Sequence, residues 1–179
     1  REHDRRPLAR DLAVDRRVSD KWVVLKGLLD TGDEDALAVA LAERRFLAEV
    51  DHPNIVRIIN FAEHPDLRTG GSAGYIVMEY VGGTSLKQIL KDRMRANNGK
   101  FDPLPVDQAL AYMLEILPAF SYLHDLGLIY CDFKPDNLIQ VGDAVKLIDL
   151  GGVRRVDDQE SAIYGTVGYQ APEVAQVGP

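Results

Sequence analysis

The sequence predicts an α+β protein with two lobes, a strand-rich first lobe that carries one helix and a mostly helical second lobe. Three segments rich in the β-branched and bulky residues typical of strands lie before Gly82 and Gly83, and two long segments with helical spacing of apolar residues follow them. We therefore expect the first lobe to span residues 1–81 and the second lobe to span residues 82–179.

The composition limits the classes of protein to which the chain can belong. A length of 179 residues and a hydrophobic content of 46% are those of an ordinary globular protein. The net charge of -7 argues against nucleic-acid binding, because neutralising phosphates requires clustered Lys and Arg. No run approaches the roughly 18 consecutive apolar residues of a membrane-spanning helix, and no signal peptide opens the chain, so we expect a cytoplasmic protein. The single Cys131 excludes an internal disulfide bond.

A lysine stands inside the first predicted strand, DKWVVLKGLL, at residues 20–29. Strand alternation places Trp22, Val24 and Lys26 on one face and Val23 and Leu25 on the other, so the lysine lies in a strand that is apolar on both sides. Such a lysine either extends its ammonium group past its neighbours into solvent or meets a buried acidic partner.

A helix predicted over residues 31–53 offers that acidic partner. Glu43 completes an apolar stripe formed by Ala36, Ala40, Leu47 and Val50. A buried carboxylate is costly unless a cation meets it, and Lys26 is the candidate cation. The alternative is a half-exposed Glu43 bonded to Arg44 or Arg45.

Strands at residues 54–64 and 74–81 complete the predicted first lobe. Gly82 and Gly83 then form a flexible connection, after which Thr84 or Ser85 caps a helix. This helix carries the apolar residues Leu86, Ile89, Leu90 and Met94.

A longer helix is predicted from about Val106 to Asp125, with Gly127 as its C-terminal stop. Pro118 lies inside this helix and removes a hydrogen bond to the carbonyl of Leu114, so we expect a local kink. The apolar side of the helix is formed by Leu110, Met113, Leu114, Leu117 and Phe120.

A dense group of polar residues follows this helix. The loop YCDFKPDN at residues 130–137 contains Asp132, Lys134 and Asn137, and a strand predicted over residues 144–152 contains Asp149 near its end. Two oxygen ligands on neighbouring segments, Asn137 and Asp149, suit a hard cation such as Mg²⁺. Asp132 remains available as a base, and Lys134 provides a positive charge for a phosphoryl group in transfer.

The order of these elements resembles the signature of eukaryotic-like serine/threonine protein kinases. VVLK resembles the lysine strand, Glu43 its helix partner, YCDFKPDN the catalytic loop, DLG the metal-binding turn, and YGTVGYQAPE, residues 164–173, the end of the activation segment. The segments VVLKGL, AERRFLAEV, YIVMEYVGG and LEILPAFSYLH are in particular similar to the actinobacterial protein kinase G family. The resemblance spans nearly the whole chain and implies a bilobal protein-kinase-like fold.

The resemblance implies ATP as a cofactor and assigns residues to it. Lys26 would hold the α and β phosphates and pair with Glu43. Adenine would contact the gatekeeper Met78, the backbone of Glu79 and Val81, and the side chains of Val24 and Ile139.

The resemblance also assigns the chemistry of phosphoryl transfer to protein substrates. Asp132 would accept the proton of the substrate hydroxyl, and Lys134 would steady the γ-phosphate. Asn137 and Asp149 would hold Mg²⁺, with Mn²⁺ as a substitute, and Thr166 would contact the catalytic loop. A lysine two places after the catalytic Asp implies serine or threonine substrates rather than tyrosine.

The chain departs from the family pattern beside the catalytic Asp. Tyr130 and Cys131 replace a His and an Arg, and Leu150 replaces the Phe of the metal-binding turn. Without that Arg there is no fixed cation to receive an activation-loop phosphate, so we predict activity that does not depend on such phosphorylation. Cys131 is interpreted as a small buried residue rather than a redox sensor, because its thiolate is disfavoured beside Asp132.

Two further departures concern the ends of the sequence. No glycine precedes Gly27, so the family's glycine-rich loop is not in this sequence, which also stops before the helices that support the catalytic lobe. We expect a kinase domain truncated at both ends, poorly active alone, whose helix at residues 106–125 exposes an apolar flank. Relatives often carry a rubredoxin-like metal module and tetratricopeptide repeats, which a longer chain could supply.

Three functions stay open at the level of sequence. The first is a serine/threonine protein kinase, and the second is a pseudokinase that binds nucleotide or partner proteins without transferring phosphate. The third is small-molecule phosphotransfer of the aminoglycoside or choline type, which the APE motif and Lys134 disfavour.

Overall fold

The computed structural model describes residues 11–16, 21–27, 45–65, 72–158 and 165–173. They fall into two compact units, one within Arg1–Asp51 and Arg57–Tyr80, the other within His52–Val56 and Val81–Pro179. Glu43 and most of the helix predicted over residues 31–53 lie outside the described residues.

An antiparallel sheet of four strands forms most of the described part of the first unit. Its strands are β1 (Asp11–Arg16), β2 (Lys21–Gly27), β3 (Ile58–Pro65) and β4 (Ser72–Glu79), in the order β1-β2-β4-β3. Strand alternation in β2 buries Val23 and leaves Trp22 56% exposed. Lys26 is partly buried and lies opposite Ile76 of β4.

Two boundaries in this unit differ from the sequence prediction. Strand β3 begins at Ile58 rather than at residue 54, because residues 54–56 belong to the second unit. There the Leu147 N–H donates to the Asn54 carbonyl at 2.7 Å, and the Leu147 carbonyl accepts from the Val56 N–H at 2.8 Å. The described end of the predicted helix, Arg45–Glu49, is a 3-10 helix that ends before Val50.

Two α-helices lie in the described part of the second unit, and both follow the predicted positions. Helix α1 (Leu86–Ala96) is capped by Ser85, whose hydroxyl accepts a hydrogen bond from the Gln88 N–H at 3.2 Å. Helix α2 (Val106–Asp125) is followed by Gly127, whose φ of 69° is the left-handed conformation that terminates helices.

The buried face of α2 is not the side that the sequence marks as apolar. Burial falls on Tyr112, Ile116, Ala119 and Leu123. The predicted side is exposed over most of its length, by 38–70%, at Leu110, Met113, Leu114 and Leu117. The exposed apolar flank expected from the sequence is therefore present, and the pattern alone could not tell it from the core-facing side.

Five short strands in the described part of the second unit flank the loops at residues 131–137 and 148–152. Strands β5 (Thr84–Ser85), β7 (Leu138–Val141) and β8 (Ala144–Leu147) form one antiparallel sheet, and β6 (Leu128–Tyr130) pairs with β9 (Val153–Arg155). The strand predicted over residues 144–152 therefore ends at Leu147, and a 3-10 turn at Leu150–Gly152 separates it from β9. Among the helices that the structure describes, none has the length and apolarity needed to cross a membrane.

Candidate active site

Two loops of the second unit run side by side. Residues 131–137 connect β6 to β7, and residues 148–152 connect β8 to β9. Because β6 pairs with β9 and β7 pairs with β8, both loops leave the same two pairs of strands. Backbone hydrogen bonds join them directly, from the Cys131 N–H to the Gly152 carbonyl at 3.0 Å and from the Ile148 N–H to the Asn137 carbonyl at 2.8 Å.

Asp132 is at the centre of a cluster of three side chains. Its Oδ2 accepts a hydrogen bond from the Lys134 ammonium at 2.5 Å, and its Oδ1 accepts one from the Thr166 hydroxyl at 2.7 Å. The Lys134 ammonium also donates to the Thr166 Oγ1 at 2.6 Å. The side chains of Asp132 and Lys134 are each 18% exposed, so the ion pair is mostly shielded from water.

This cluster keeps Asp132 ionised. Burial by itself raises the pKa of the carboxyl. The hydrogen bonds from Lys134, Thr166 and Asn137 and the positive charge of Lys134 lower the pKa, and together they outweigh the effect of burial. The net result is a pKa below the ordinary value of an aspartate. The carboxylate is therefore charged and oriented before any substrate arrives.

Asn137 is buried, with 4% of its surface exposed, and its amide nitrogen is held in place. Nδ2 donates to the Asp132 carbonyl at 2.8 Å and to the Tyr130 hydroxyl oxygen at 3.0 Å, and lies 3.3 Å from the Asp132 Oδ2. These bonds fix the orientation of the carboxamide, so that its oxygen is the atom that can serve a metal ion.

Asp149 begins the tight turn on the neighbouring loop. Its φ of 59° is left-handed, an uncommon conformation for a residue other than glycine, and its Oδ1 accepts a hydrogen bond from the Gly151 N–H at 2.9 Å. One amide oxygen and one carboxylate on adjacent loops are the oxygen donors that Mg²⁺ prefers, with further positions left for water and phosphate. The donor set therefore fits the predicted metal.

The Tyr130 hydroxyl is a part of the site that sequence reasoning missed. The sequence marks Tyr130 as unusual for its position but gives no sign of its partners. Its oxygen lies 3.2 Å from the Ile148 carbonyl and 3.1 Å from the Asp149 carbonyl, in addition to its contact with Asn137. A second contact that the sequence did not indicate is an ion pair between Lys87 of α1 and Asp136 of the loop at residues 131–137.

Cys131 is partly buried. Burial raises the pKa of its thiol, and the charge of Arg154 opposes that change only in part. A raised pKa favours the neutral thiol, which is compatible with the interpretation of Cys131 as a packing residue.

The residues predicted to contact ATP are divided between the two units. Lys26 and Val24 lie on β2, and Met78 and Glu79 lie on β4, where Met78 is the partner of Val24 in the strand register. The Glu79 N–H donates to the Arg57 carbonyl at 3.0 Å within the same unit. Val81 and Ile139 belong to the second unit, and both are partly buried.

Comparison with known proteins identifies the family. Residues 12–178 match the model of the protein kinase domain. The chain is 55% identical over 168 residues to serine/threonine-protein kinase PknG of Mycobacterium leprae (strain TN), and 55% identical over 168 residues to the protein of the same name from Mycolicibacterium smegmatis. It is 33% identical over 169 residues to the probable serine/threonine-protein kinase PknB of Lactococcus lactis.

These alignments cover most of this chain and a small part of each relative. They include 94%, 94% and 90% of the chain, but only 21%, 20% and 25% of the three relatives. The chain thus spans a fifth to a quarter of the length of these proteins. Since the family model matches nearly all of the residues present, the chain belongs to the protein kinase domain family.

Proposed function

We propose that this chain supplies part of the catalytic domain of an ATP-dependent serine/threonine protein kinase. The observation that carries the proposal is the Asp132 carboxylate, held ionised by Lys134 and Thr166 beside the buried amide of Asn137. The names of the two relatives that are 55% identical to the chain support the same activity, although the chain covers only 21% of the first of them.

Asp132 orients the substrate hydroxyl and takes its proton. Of the bonds described above, Oδ2 accepts those from Lys134 and Asn137, whereas Oδ1 accepts the one from Thr166. Oδ1 therefore has a second lone pair that can accept a bond from a serine or threonine hydroxyl. As the hydroxyl oxygen bonds to the γ-phosphorus of ATP, the bond from that phosphorus to the oxygen of ADP breaks, and the hydroxyl proton passes to Asp132. The nearby Lys134 ammonium stabilises the charge on the transferring phosphoryl group.

Asn137 and Asp149 would hold Mg²⁺ or Mn²⁺ through the amide oxygen and the carboxylate. When bound, the metal neutralises charge on the β and γ phosphates and helps to orient them. Lys26, paired with Glu43, would hold the α and β phosphates. Adenine would be bound by Val24, Met78, Ile139 and the backbone of Glu79 and Val81.

The partners and location of the whole protein are predictions from the sequence. Protein substrates carrying serine or threonine and a cytoplasmic location follow from the resemblance and the composition. Rubredoxin-like and tetratricopeptide modules elsewhere in a longer chain follow from the resemblance alone.

Radiolabelled ATP tests the proposed reaction in the full-length protein. With Mg²⁺ present and myelin basic protein as a general acceptor, the unmodified protein should transfer label to serine and threonine. Asp132→Asn keeps the shape of the side chain but removes the base, so we expect the rate to fall about 10²–10⁴-fold. Asp143→Asn is the matched control, because Asp143 is an exposed carboxylate in the turn between β7 and β8.

The outcomes separate the candidate functions. Loss of transfer in Asp132→Asn alone supports the kinase. Nucleotide binding without transfer, in the unmodified protein as well as in both variants, identifies a pseudokinase. Equal transfer by the unmodified protein and Asp132→Asn contradicts the assignment of Asp132.

A further inference from the structure

An ion pair joins helix α1 to the loop that carries Asp132. Lys87 is the second residue of α1, and its ammonium group donates a hydrogen bond to Oδ1 of Asp136. Asp136 directly precedes Asn137, whose amide nitrogen is bonded to the backbone carbonyl of Asp132 at 2.8 Å. The ion pair therefore lies close to the carboxylate that is proposed to receive the substrate hydroxyl.

This ion pair contributes little to the stability of the fold. The side chains of Lys87 and Asp136 are 48% and 30% exposed, and ion pairs exposed to this extent are weakened by water and by salt. Both side chains are also accessible to a molecule that binds at this surface. The pair is therefore better placed to affect what binds here than to hold the fold together.

Lys87 completes the charge balance of the loop. Residues 131–137 contain two carboxylates, Asp132 and Asp136, and one cation, Lys134. Lys134 is bonded to Asp132, so Asp136 would add a negative charge beside the acceptor site if Lys87 were absent. The hydrogen bond and the charge of Asp136 raise the pKa of Lys87, and partial desolvation only opposes this change, so Lys87 is a cation at physiological pH.

The described end of the predicted activation segment, residues 165–173, reaches the same place. The phenol of Tyr169 is close enough to Lys87 to make a further small contribution to its raised pKa. The Tyr169 N–H donates to the Thr166 carbonyl at 3.0 Å, and the Thr166 hydroxyl is bonded to Oδ1 of Asp132. A peptide whose hydroxyl reaches Asp132 therefore places its neighbouring side chains near the pair of Lys87 and Asp136.

We propose that Lys87 determines the charge preference for protein substrates by neutralising Asp136. With the pair intact, this loop gives no net charge to the surface beside the acceptor hydroxyl, and a basic residue of the substrate gains little there. Without Lys87, the Asp136 carboxylate would attract arginine or lysine at positions near the acceptor. The inference rests on the proposed function and adds a residue that selects among serine and threonine substrates.

Peptide libraries with serine or threonine as the acceptor test this inference in the full-length protein. Each library has Arg, Ala or Glu at one fixed position within four residues of the acceptor. This range follows because Asp136 is four residues from Asp132, and an extended peptide covers that distance in no more than the same number of residues. The measured quantity is the rate of label transfer from ATP to each library.

The variants separate the charge of Asp136 from other effects. They are Lys87→Gln, Lys87→Arg, and Lys87→Gln combined with Asp136→Asn, and thermal melting establishes that each of them folds. Lys91→Gln is the matched control, because it removes the same charge from an exposed residue one turn further along α1.

We expect the unmodified protein to label the Arg and Ala libraries at similar rates. Lys87→Gln should raise the ratio of the Arg rate to the Ala rate about two- to fivefold at one or more positions, the size expected of an exposed ion pair, with the Ala rate unchanged. Lys87→Arg and the double variant should restore the original ratio. Salt at about 0.5 M should reduce the gain, because it screens exposed charges.

An unchanged ratio in Lys87→Gln, an equal rise in Lys91→Gln, or a rise that persists in the double variant overturns the inference. An equal fall in the rates for all libraries in Lys87→Gln also overturns it, because the pair would then only support the loop. A strong preference for Arg in the unmodified protein contradicts it without any variant. If the unmodified protein labels no library, the proposed function fails instead of the role of Lys87.

Discussion

Gly83 gives a prediction in which the structure sets the magnitude. Its φ is 122°, and a β-carbon added to it would lie 2.1 Å from the Gln140 carbonyl oxygen and 3.0 Å from the Ile139 Cγ2. No side chain can occupy this space without a shift, and the nearer atom belongs to the backbone of β7. Gly83→Ala must therefore separate β5 from β7.

The expected cost of Gly83→Ala has two parts. Forcing an L-residue into a positive-φ conformation costs about 1–2 kcal/mol. Separating β5 from β7 removes hydrogen bonds between Thr84–Ser85 and Ile139–Gln140, at about 1 kcal/mol for each bond lost. With about two such bonds lost, we expect the free energy of unfolding to fall by about 3–4 kcal/mol in total.

Gly142→Ala separates the two contributions. Gly142 has a φ of 59°, and a β-carbon added to it would meet no atom within 4 Å. This control should lose only the conformational part, about 1–2 kcal/mol. Urea denaturation of the full-length protein measures both variants, and hydrogen exchange at residues 84–85 and 138–141 locates the loss. If Gly83→Ala costs no more than Gly142→Ala, the reasoning from the close contact is refuted.

Two more predictions follow from burial and from charge. Ile116→Ala removes a side chain with 0% exposure and should lower the free energy of unfolding by about 2–5 kcal/mol in urea denaturation of this 179-residue chain. Leu114→Ala, at 70% exposure, should change it by less than about 0.5 kcal/mol in the same measurement, and equal losses would contradict the assigned faces of α2. Thr166→Val removes a donor to the Asp132 carboxylate and should raise its pKa towards the ordinary value, which a carboxyl ¹³C NMR titration measures. The pKa of Asp132 in the folded protein is below its unfolded value of about 3.9, so its ionised form stabilises the fold above that pH, and this stabilisation is lost as the pH falls through the folded pKa. Thr166→Val should therefore lose less stability on acidification than the unmodified protein does. An unchanged titration of Asp132 would contradict the role of Thr166.

Local signals in the sequence predicted a large part of the second unit. Helix α2 begins at Val106 and ends at Asp125 as expected, because the helical pattern and the stop at Gly127 are both local. Ser85 caps α1 for the same reason. Asp132, Lys134 and Asn137 lie within six residues, so their proximity in one loop was also predictable.

The remaining features depend on residues distant in the sequence. Strand β3 starts late because the chain at Asn54 pairs with Leu147, and no pattern near residue 54 indicates that partner. The buried face of α2 could not be chosen, because apolar residues lie on both sides of the helix. Two of the three partners of the Tyr130 hydroxyl, the carbonyls of Ile148 and Asp149, come from the β8–β9 loop, which is 18–19 residues away in sequence.

The central proposal is that Asn137 and Asp149 hold the metal ion of a bound nucleotide and that Lys26 binds its phosphates. A crystal structure of the full-length protein with Mg²⁺ and AMP-PNP tests this claim most directly. We predict Mg²⁺ at about 2.0–2.1 Å from the Asn137 amide oxygen and from the Asp149 carboxylate, with the Lys26 ammonium on the α or β phosphate. A metal bound through other residues, or a Lys26 ammonium remote from the phosphates, would contradict the account.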